Sequence, residues 1–260
     1  MINWNNAKYY EYPYNHIVID DCFDTSILEG LQKEWPSEEL GARGAVMGGR
    51  RQMSNMGSNK PAVAWMNSKA PAWKELCNYL NDDVLLDEFK ARYSDDMKRW
   101  GCVLNENDTL DNGNMFLHID WSEGDDGYTR EIHADSGKRF LNFLIFFNDK
   151  QWDGGDFVIH SSDAIKTTPI KHVDGEYKTG VYPRPAAGYA TRYTTEVAPV
   201  HKVIEGKTNR AVFFLSTPDS LHSVSTQTNT SEYRKFIYGA YSLNQVSTRG
   251  GYVFGNTKKL

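Results

Sequence analysis

The stretch "REIHADSGKRFLNFLIFFND", residues 130 to 149, sets a histidine and an aspartate one residue apart, His133 and Asp135, at the head of a long apolar run. Two readings are open: a metal-binding pair on the lip of a β-strand, or a polar turn entering a core strand. On a strand, residues i and i+2 face the same side, so an H-x-D at a strand end aims both side chains at one point while Ala134 faces away. A mononuclear ferrous site needs two neutral imidazoles and one carboxylate on one face of the metal, with the other positions left open. The second imidazole must then come from a distant strand, and "STPDSLHSVST" offers His222 just after the apolar run "RAVFFLS". Further on, "SEYRKFIYGAY" puts Arg234 near the start of another strand, where a fixed guanidinium can hold a dicarboxylate's distal carboxylate through two hydrogen bonds.

Around this segment, from about residue 101, short runs rich in Val, Ile, Phe, Tyr and Thr alternate with Gly, Asn and Asp, the pattern of a β-sandwich or barrel. The clearest strands are "NMFLHIDW", "RFLNFLIFF", "DFVIH", "RAVFFLS" and "YRKFIYGAY". Before residue 101 the periods are helical. After a first strand at "HIVID" (16 to 20), "DTSILEGLQKEWP" reads as a short amphipathic helix with Asp24 or Thr25 as N-cap and Pro36 as its stop. "APAWKELCNYLND" and "DVLLDEFKARYSDDMKRW" read as two more, the second with Leu86, Phe89, Tyr93, Met97 and Trp100 in a core-packing stripe.

The expected fold is therefore α+β, mainly β, in one domain over residues 1 to 260. Residues 1 to 100 give helical support with a first strand, and 101 to 248 form the β core, with a rim insertion of hairpins at 161 to 209. Residues 41 to 62, "GARGAVMGGRRQMSNMGSNKPA", are aperiodic and read as a mobile loop, with a disordered connector and a substrate lid both open. Arg50, Arg51 and Met53 in that loop, and Tyr182, Arg184 and Tyr189 in the insertion, are the groups expected to read the substrate. The terminal "GNTKKL" is expected to fray.

Composition narrows the function classes. With 40% hydrophobic residues the chain can bury a full core, while a net charge of −5 and scattered basic residues give no sign of a nucleic-acid face. Cys22, Cys77 and Cys102 are odd in number and widely spaced, which argues against a disulfide framework or a zinc-thiolate site and suits buried thiols in a reducing cytosol. No leader pattern and no membrane-length apolar run is visible, so a soluble cytoplasmic protein is expected; the oligomeric state is not legible.

The ordered set of motifs resembles the Fe(II)/2-oxoglutarate-dependent dioxygenase superfamily, in particular its prolyl-hydroxylase-like branch, over roughly residues 10 to 245. It comprises "YPYNHIVIDDCFD" before a helix, H-x-D at 133 to 135, the strand "LNFLIFFN", the turn and strand "WDGGDFVI", then "NRAVFFLS" before "LHSV" and a basic residue. The resemblance implies a double-stranded β-helix (jelly-roll) core braced by the N-terminal helices. It implies Fe(II) held by His133, Asp135 and His222, and 2-oxoglutarate bound by Arg234, with ascorbate allowed as an accessory. Dioxygen would be the second co-substrate. The implied reaction is hydroxylation of a C–H bond, since halogenating members lack the carboxylate ligand. The implied substrate is a peptidyl proline, another amino-acid side chain or a small metabolite.

The sequence departs from the pattern at Phe236, where many members carry a serine or threonine two residues after the arginine. Tyr128 and Asn142 are the candidates for that missing contact, and Lys235 replaces Arg234 if the strand register slips by one. A second H-x-D, His118 and Asp120, lies within a strand rather than at its lip and reads as an interior pair. His16, His160, His172 and His201 lack ligand spacing and read as surface or satisfied histidines. The rival readings are a non-redox, cupin-like metalloenzyme and a non-catalytic jelly-roll binding module.

Overall fold

The apolar run at 139 to 147 is continuous because its strand is buried on both faces. In the computed structural model Leu141, Phe143 and Ile145 point to a helical layer, while Asn142, Leu144 and Phe146 point to a second sheet. The structure describes residues 1–36, 40, 49–54, 60–99, 115–135, 139–148, 152–163, 171–173, 176–178, 192–193, 195, 198–217, 220–228 and 233–243.

In chain order the elements are β1 (Ala7–Tyr10), β2 (His16–Ile19), α1 (Thr25–Lys33), β3 (Arg50–Ser54), α2 (Lys60–Lys69), α3 (Pro71–Leu80) and α4 (Asp83–Arg99). There follow β4 (Met115–Gly124), β5 (Arg130–His133), β6 (Arg139–Phe146), β7 (Phe157–His160), β8 (Lys171–Val173), β9 (Glu176–Lys178), β10 (Arg192–Tyr193), β11 (Val200–Ile204), β12 (Ala211–Leu215), β13 (His222–Val224) and β14 (Arg234–Leu243). One sheet runs β1-β2-β12-β6-β14-β4-β3 and the other β10-β5-β13-β7-β11; β8 and β9 pair with each other. Every ladder is antiparallel.

The outer face of the large sheet carries the helices. Trp73 on α3 has ring contacts with Trp35 at 5.7 Å, Trp121 of β4 at 5.6 Å and Phe147 at 5.0 Å, and its Nε1 donates to the carbonyl of Leu31. Each such aromatic pair adds roughly 0.5 to 1.5 kcal/mol beyond burial, so this cluster fastens α1 and α3 to the sheet. Leu86, Phe89 and Tyr93 of α4 are buried, as their helical stripe predicts. Between the sheets, Val18, Leu144, Phe146, Val212, Phe214 and Phe236 meet Phe157 and Ile159 of β7. Gly239 of β14 leaves room for the Phe143 ring, into which any Cβ would collide.

The five strands singled out in the sequence and the first one at 16 to 20 are present as β4, β6, β7, β12, β14 and β2. Asp24 stands at the N-cap of α1 without a side-chain cap bond, and the helix ends at Lys33, ahead of Pro36. The expectation of a loop over 41 to 62 is corrected: 50 to 54 form β3, paired with β4, and α2 begins at Lys60. The strand escaped notice because one of its faces meets a polar cavity instead of an apolar core, so its sequence does not alternate in the usual way. Arg50 and Met53 are accordingly buried rather than exposed. In the 161 to 209 segment, β8 and β9 form a hairpin, but β10 and β11 are integral strands of the smaller sheet. Residues 41–48, 55–59, Trp100, Cys102, Tyr182, Arg184, Tyr189 and the terminal "GNTKKL" lie outside the described residues. Cys22 and Cys77 are buried thiols, Cys77 pushed up to about 12 by burial. Among the described residues no helix is long and apolar enough to cross a membrane.

His16 on β2 gives the fold a pH dependence. It is 1% exposed, stacked on Tyr10 at 4.7 Å, with Nδ1 donating to the carbonyl of Tyr14. Burial, only partly opposed by that bond, takes it from its ordinary 6.5 down to about 4. Between those values the unfolded chain binds a proton that the folded one refuses, so stability is whole above about 6.5 and is lost as pH falls toward 4. Urea unfolding at pH 7 and pH 4.5 should show the wild type losing about 2 to 3 kcal/mol more than His16→Gln; equal losses would show that this ring protonates freely in the fold.

Candidate metal centre

β5 and β13 are neighbours in the smaller sheet, and their register sets His133 directly opposite His222. The two rings stand with centroids 4.3 Å apart. β5 stops at His133, and two residues later the chain places the Asp135 carboxylate 3.9 Å from Nε2 of His133 and 3.5 Å from Nε2 of His222. One ligand atom from each of the three lies within 4.8 Å of the others. Two ligands about 2.1 Å from one ion, at octahedral or tetrahedral angles, sit about 3 to 3.5 Å apart, so this triangle is close to the size of a metal site.

The imidazoles are oriented by their own backbone. Nδ1 of His133 lies 2.7 Å from the carbonyl of Glu131, and Nδ1 of His222 lies 2.9 Å from that of Ser220. A carbonyl can only accept, so Nδ1 carries the proton in each ring and the Nε2 lone pair is turned toward Asp135. Burial holds both rings neutral: it lowers His133 despite the charge of Asp135, and with the neighbouring His133 it takes His222 down to about 3. His222 is walled by Phe214 and Phe157, at 4.7 and 5.3 Å between centroids.

Asp135 has the opposite problem, since burial pushes a carboxyl up. Burial is the largest single influence, but Arg139, His222, His133 and the Tyr238 hydroxyl together outweigh it, and the carboxyl is held well below its usual range. At neutral pH the two imidazoles are uncharged, so Arg139 is the partner that counts. Its Nη1 donates to Oδ1 at 3.0 Å, while Oδ2 accepts from the Asn142 amide at 2.9 Å and faces the Tyr238 hydroxyl at 3.1 Å. Tyr238 also reaches Asn142 Oδ1 and accepts from Arg139, and burial keeps it protonated. The carboxylate is thus ionised, oriented and only 9% exposed.

These residues open onto a cavity of about 380 Å³ whose wall also includes Arg50, His118, Asp120, Tyr128, Arg234 and Phe236. Arg234 is 1% exposed, with its guanidinium carbon 4.4 Å from the Phe236 centroid and 5.4 Å from that of Tyr128. Nη1 donates to the carbonyl of Gly155, and Nε has no hydrogen-bond partner among the described residues. Burial takes Arg234 down to about 10, which leaves it a cation at neutral pH. The turn "WDGGDF" makes room for it: Gly154 and Gly155 have φ of +69° and +67°, and a Cβ on Gly155 would collide with the guanidinium.

Register separates the two neighbouring basic residues. Arg234 lines the cavity, whereas Lys235 pairs opposite Glu123 and is absent from the wall. Tyr128 is buried beside Arg234, as a co-substrate contact would require. Asn142, the other candidate, turns its amide to Asp135 and Tyr238. His118 and Asp120 are hydrogen-bonded at 2.9 Å, mid-strand on β4, an interior pair on the same cavity. His160 is satisfied on both nitrogens, His201 is exposed, and the side chain of His172 lies outside the described residues. Sequence reasoning missed Arg139 and Tyr238. Tyr238 shares the strand face of Arg234 at i+4, a signal that period two could have supplied.

No protein-family model and no curated protein matches the chain. Solved structures do. A prolyl-4-hydroxylase from Pseudomonas putida superposes with a TM-score of 0.51 over 88% of this chain and 92% of that one, at 12% identity. HygX from Streptomyces hygroscopicus, solved with nickel and 2-oxoglutarate bound, gives a TM-score of 0.50 over 96% of this chain and 93% of its own, also at 12% identity. The chain is similar to both in fold.

The hydrogen bonds to Asp135 make a binding prediction. Cobalt(II) titrated into metal-free protein should bind the wild type and fail to bind Asp135→Ala. Asn142→Ala, which only frees one oxygen of the carboxylate, should weaken binding by about 10- to 100-fold. Unchanged affinity in Asn142→Ala would mean that this amide does not position the ligand.

Proposed function

We propose that the chain is an Fe(II)- and 2-oxoglutarate-dependent dioxygenase that hydroxylates a C–H bond, the candidate substrates being a peptidyl proline, another amino-acid side chain and a small metabolite. The observation that carries this reading is the convergence of His133, Asp135 and His222 on a cavity that also holds the buried cation of Arg234. The donor set is the one expected for ferrous iron: two neutral imidazoles and one carboxylate, with one side of the triangle facing open space. We read the two sheets as the double-stranded β-helix, with β5 and β13 supplying the metal ligands and β14 the cation.

In that reading ferrous iron supplies the dioxygen chemistry, 2-oxoglutarate leaving as succinate and carbon dioxide while one oxygen atom enters the substrate. The chain's own residues bind, orient and shield. The carbonyls of Glu131 and Ser220 fix the two rings, and Asn142, Tyr238 and Arg139 fix the carboxylate. Arg234, whose Nε has no hydrogen-bond partner among the described residues, receives the distal carboxylate of the co-substrate. Tyr128 packs beside it. Leu144, Phe157 and Phe214 give the cavity its apolar wall and exclude water. Ascorbate would act as an accessory reductant, the site of action would be the cytoplasm, and the segments 41 to 62 and 161 to 209 would choose the substrate.

Anaerobic addition of Fe(II) and 2-oxoglutarate should raise a visible metal-to-ligand charge-transfer band, and admission of air should yield succinate. Both should vanish in Asp135→Ala and His222→Ala. Arg234→Ala should raise the 2-oxoglutarate requirement by about 30-fold or more, the cost of truncating one partner of a buried charged pair, with metal affinity little changed. A wild-type protein that binds zinc or manganese and forms no band with iron would instead support the non-redox metalloenzyme.

A further inference from the structure

Arg50, expected from the sequence to be a substrate-reading loop residue, is instead a second buried cation on the wall of the cavity that holds Arg234. It is the first residue of β3, the edge strand beyond β4. Its register sets it opposite Gly124, and Gly124 is in turn opposite Arg234 on β14. The three residues therefore form one row across three strands, with the middle position carrying no side chain. Strands lie about 4.8 Å apart, so the two arginine backbones are separated by about 10 Å, with no side chain from the middle position of their row between them. Gly124 has no Cβ to spare: one would press on Gln227 Oε1 and on the Tyr128 ring.

Both guanidinium groups face the same ring. The guanidinium carbon of Arg234 is 4.4 Å from the Phe236 centroid and that of Arg50 is 5.4 Å from it, and both arginines line the same cavity. Arg50 is held in place by Ser122, the residue opposite Phe236 in the ladder, whose Oγ accepts from Nε at 3.1 Å and from Nη2 at 2.6 Å. Two of its five donors thus converge on one neutral hydroxyl. The carboxylate paired with it, Asp120, stands 3.8 Å from Nη2, beyond hydrogen-bond reach, and Asp120 also bonds His118 at 2.9 Å. Two buried like charges on one cavity wall are each a burden on the other; the charge of Arg50 helps depress Arg234 after burial and against Tyr128. An anion between them removes that repulsion. Phe236 itself offers no donor.

We propose that Arg50 and Arg234 together bind the distal carboxylate of the co-substrate, Arg50 supplying the second contact that Phe236 cannot. This rests on the 2-oxoglutarate reading above. Arg139 is committed through Nη1 to the Asp135 carboxylate, the charge it serves to offset.

The test compares two oxo acids by calorimetry on the full-length protein loaded with cobalt(II): 2-oxoglutarate, and 2-oxopentanoate, which has the same five carbons and the same chelating end but no distal carboxylate. Arg50→Gln should lose about 30-fold or more in affinity for 2-oxoglutarate and nothing for 2-oxopentanoate. Arg50→Lys, which keeps the charge but not the fork, should show a smaller loss with the same selectivity, and serves if the glutamine variant does not fold. Equal loss for both acids would mean that Arg50 only supports the β3–β4 edge, and the proposal falls. Unchanged 2-oxoglutarate affinity also overturns it while leaving the co-substrate reading intact. Failure of the wild type to bind either acid overturns that reading, and the proposal with it.

Discussion

The interaction on which the site depends is the compensation of one buried carboxylate. Asp135 lies just past the end of a strand, where a charge removed from water is costly unless charged and polar partners surround it. Arg139, Asn142 and Tyr238 surround it here, from two positions on β6 and one on β14. Those strands are neighbours in the large sheet, whereas the histidines belong to the small one. The carboxylate thus joins the two sheets electrostatically at the point where the apolar core between them gives way to a cavity. A metal cation in the His133–Asp135–His222 triangle would complete that compensation from the other side.

The large sheet can act as this platform because both of its faces are covered. Its outer face is fastened to helices by an aromatic cluster centred on Trp73, so its inner face does not have to supply all of the folding energy. That freedom is used toward β4 and β3. Apolar residues of β2, β12 and β6 pack against the small sheet, while β4 turns His118, Asp120 and Ser122 inward and β3 adds Arg50. The gradient from apolar to polar across one sheet separates core from cavity without a change of fold.

Much of this was legible one strand at a time. The six clearest strands and the three helices with strong periodicity follow from patterns of two and 3.6 residues, which side-chain burial imposes directly. His133, Asp135 and His222 were also legible as types in sequence order. Less legible were elements whose burial is polar or partial. β3 reads as loop because its inward residues are Arg50 and Gln52, and β1 is half exposed at an edge. Asn142 is a related case: alternation gave its face, while the fold alone sets its amide against Asp135.

By itself the sequence determined the local alternation of faces, the positions of the turns and the identity of the groups able to bind a metal or an anion. These depend on each residue's own chemistry and on its near neighbours in the chain. Tertiary structure alone decided which strands lie side by side. It set His133 opposite His222, chose Arg234 over Lys235, gave Asn142 to Asp135, and aligned Arg50 with Arg234 across Gly124. The physical reason is that register between distant strands is fixed by the summed packing of two whole sheets, a quantity to which every strand contributes and which no single segment contains.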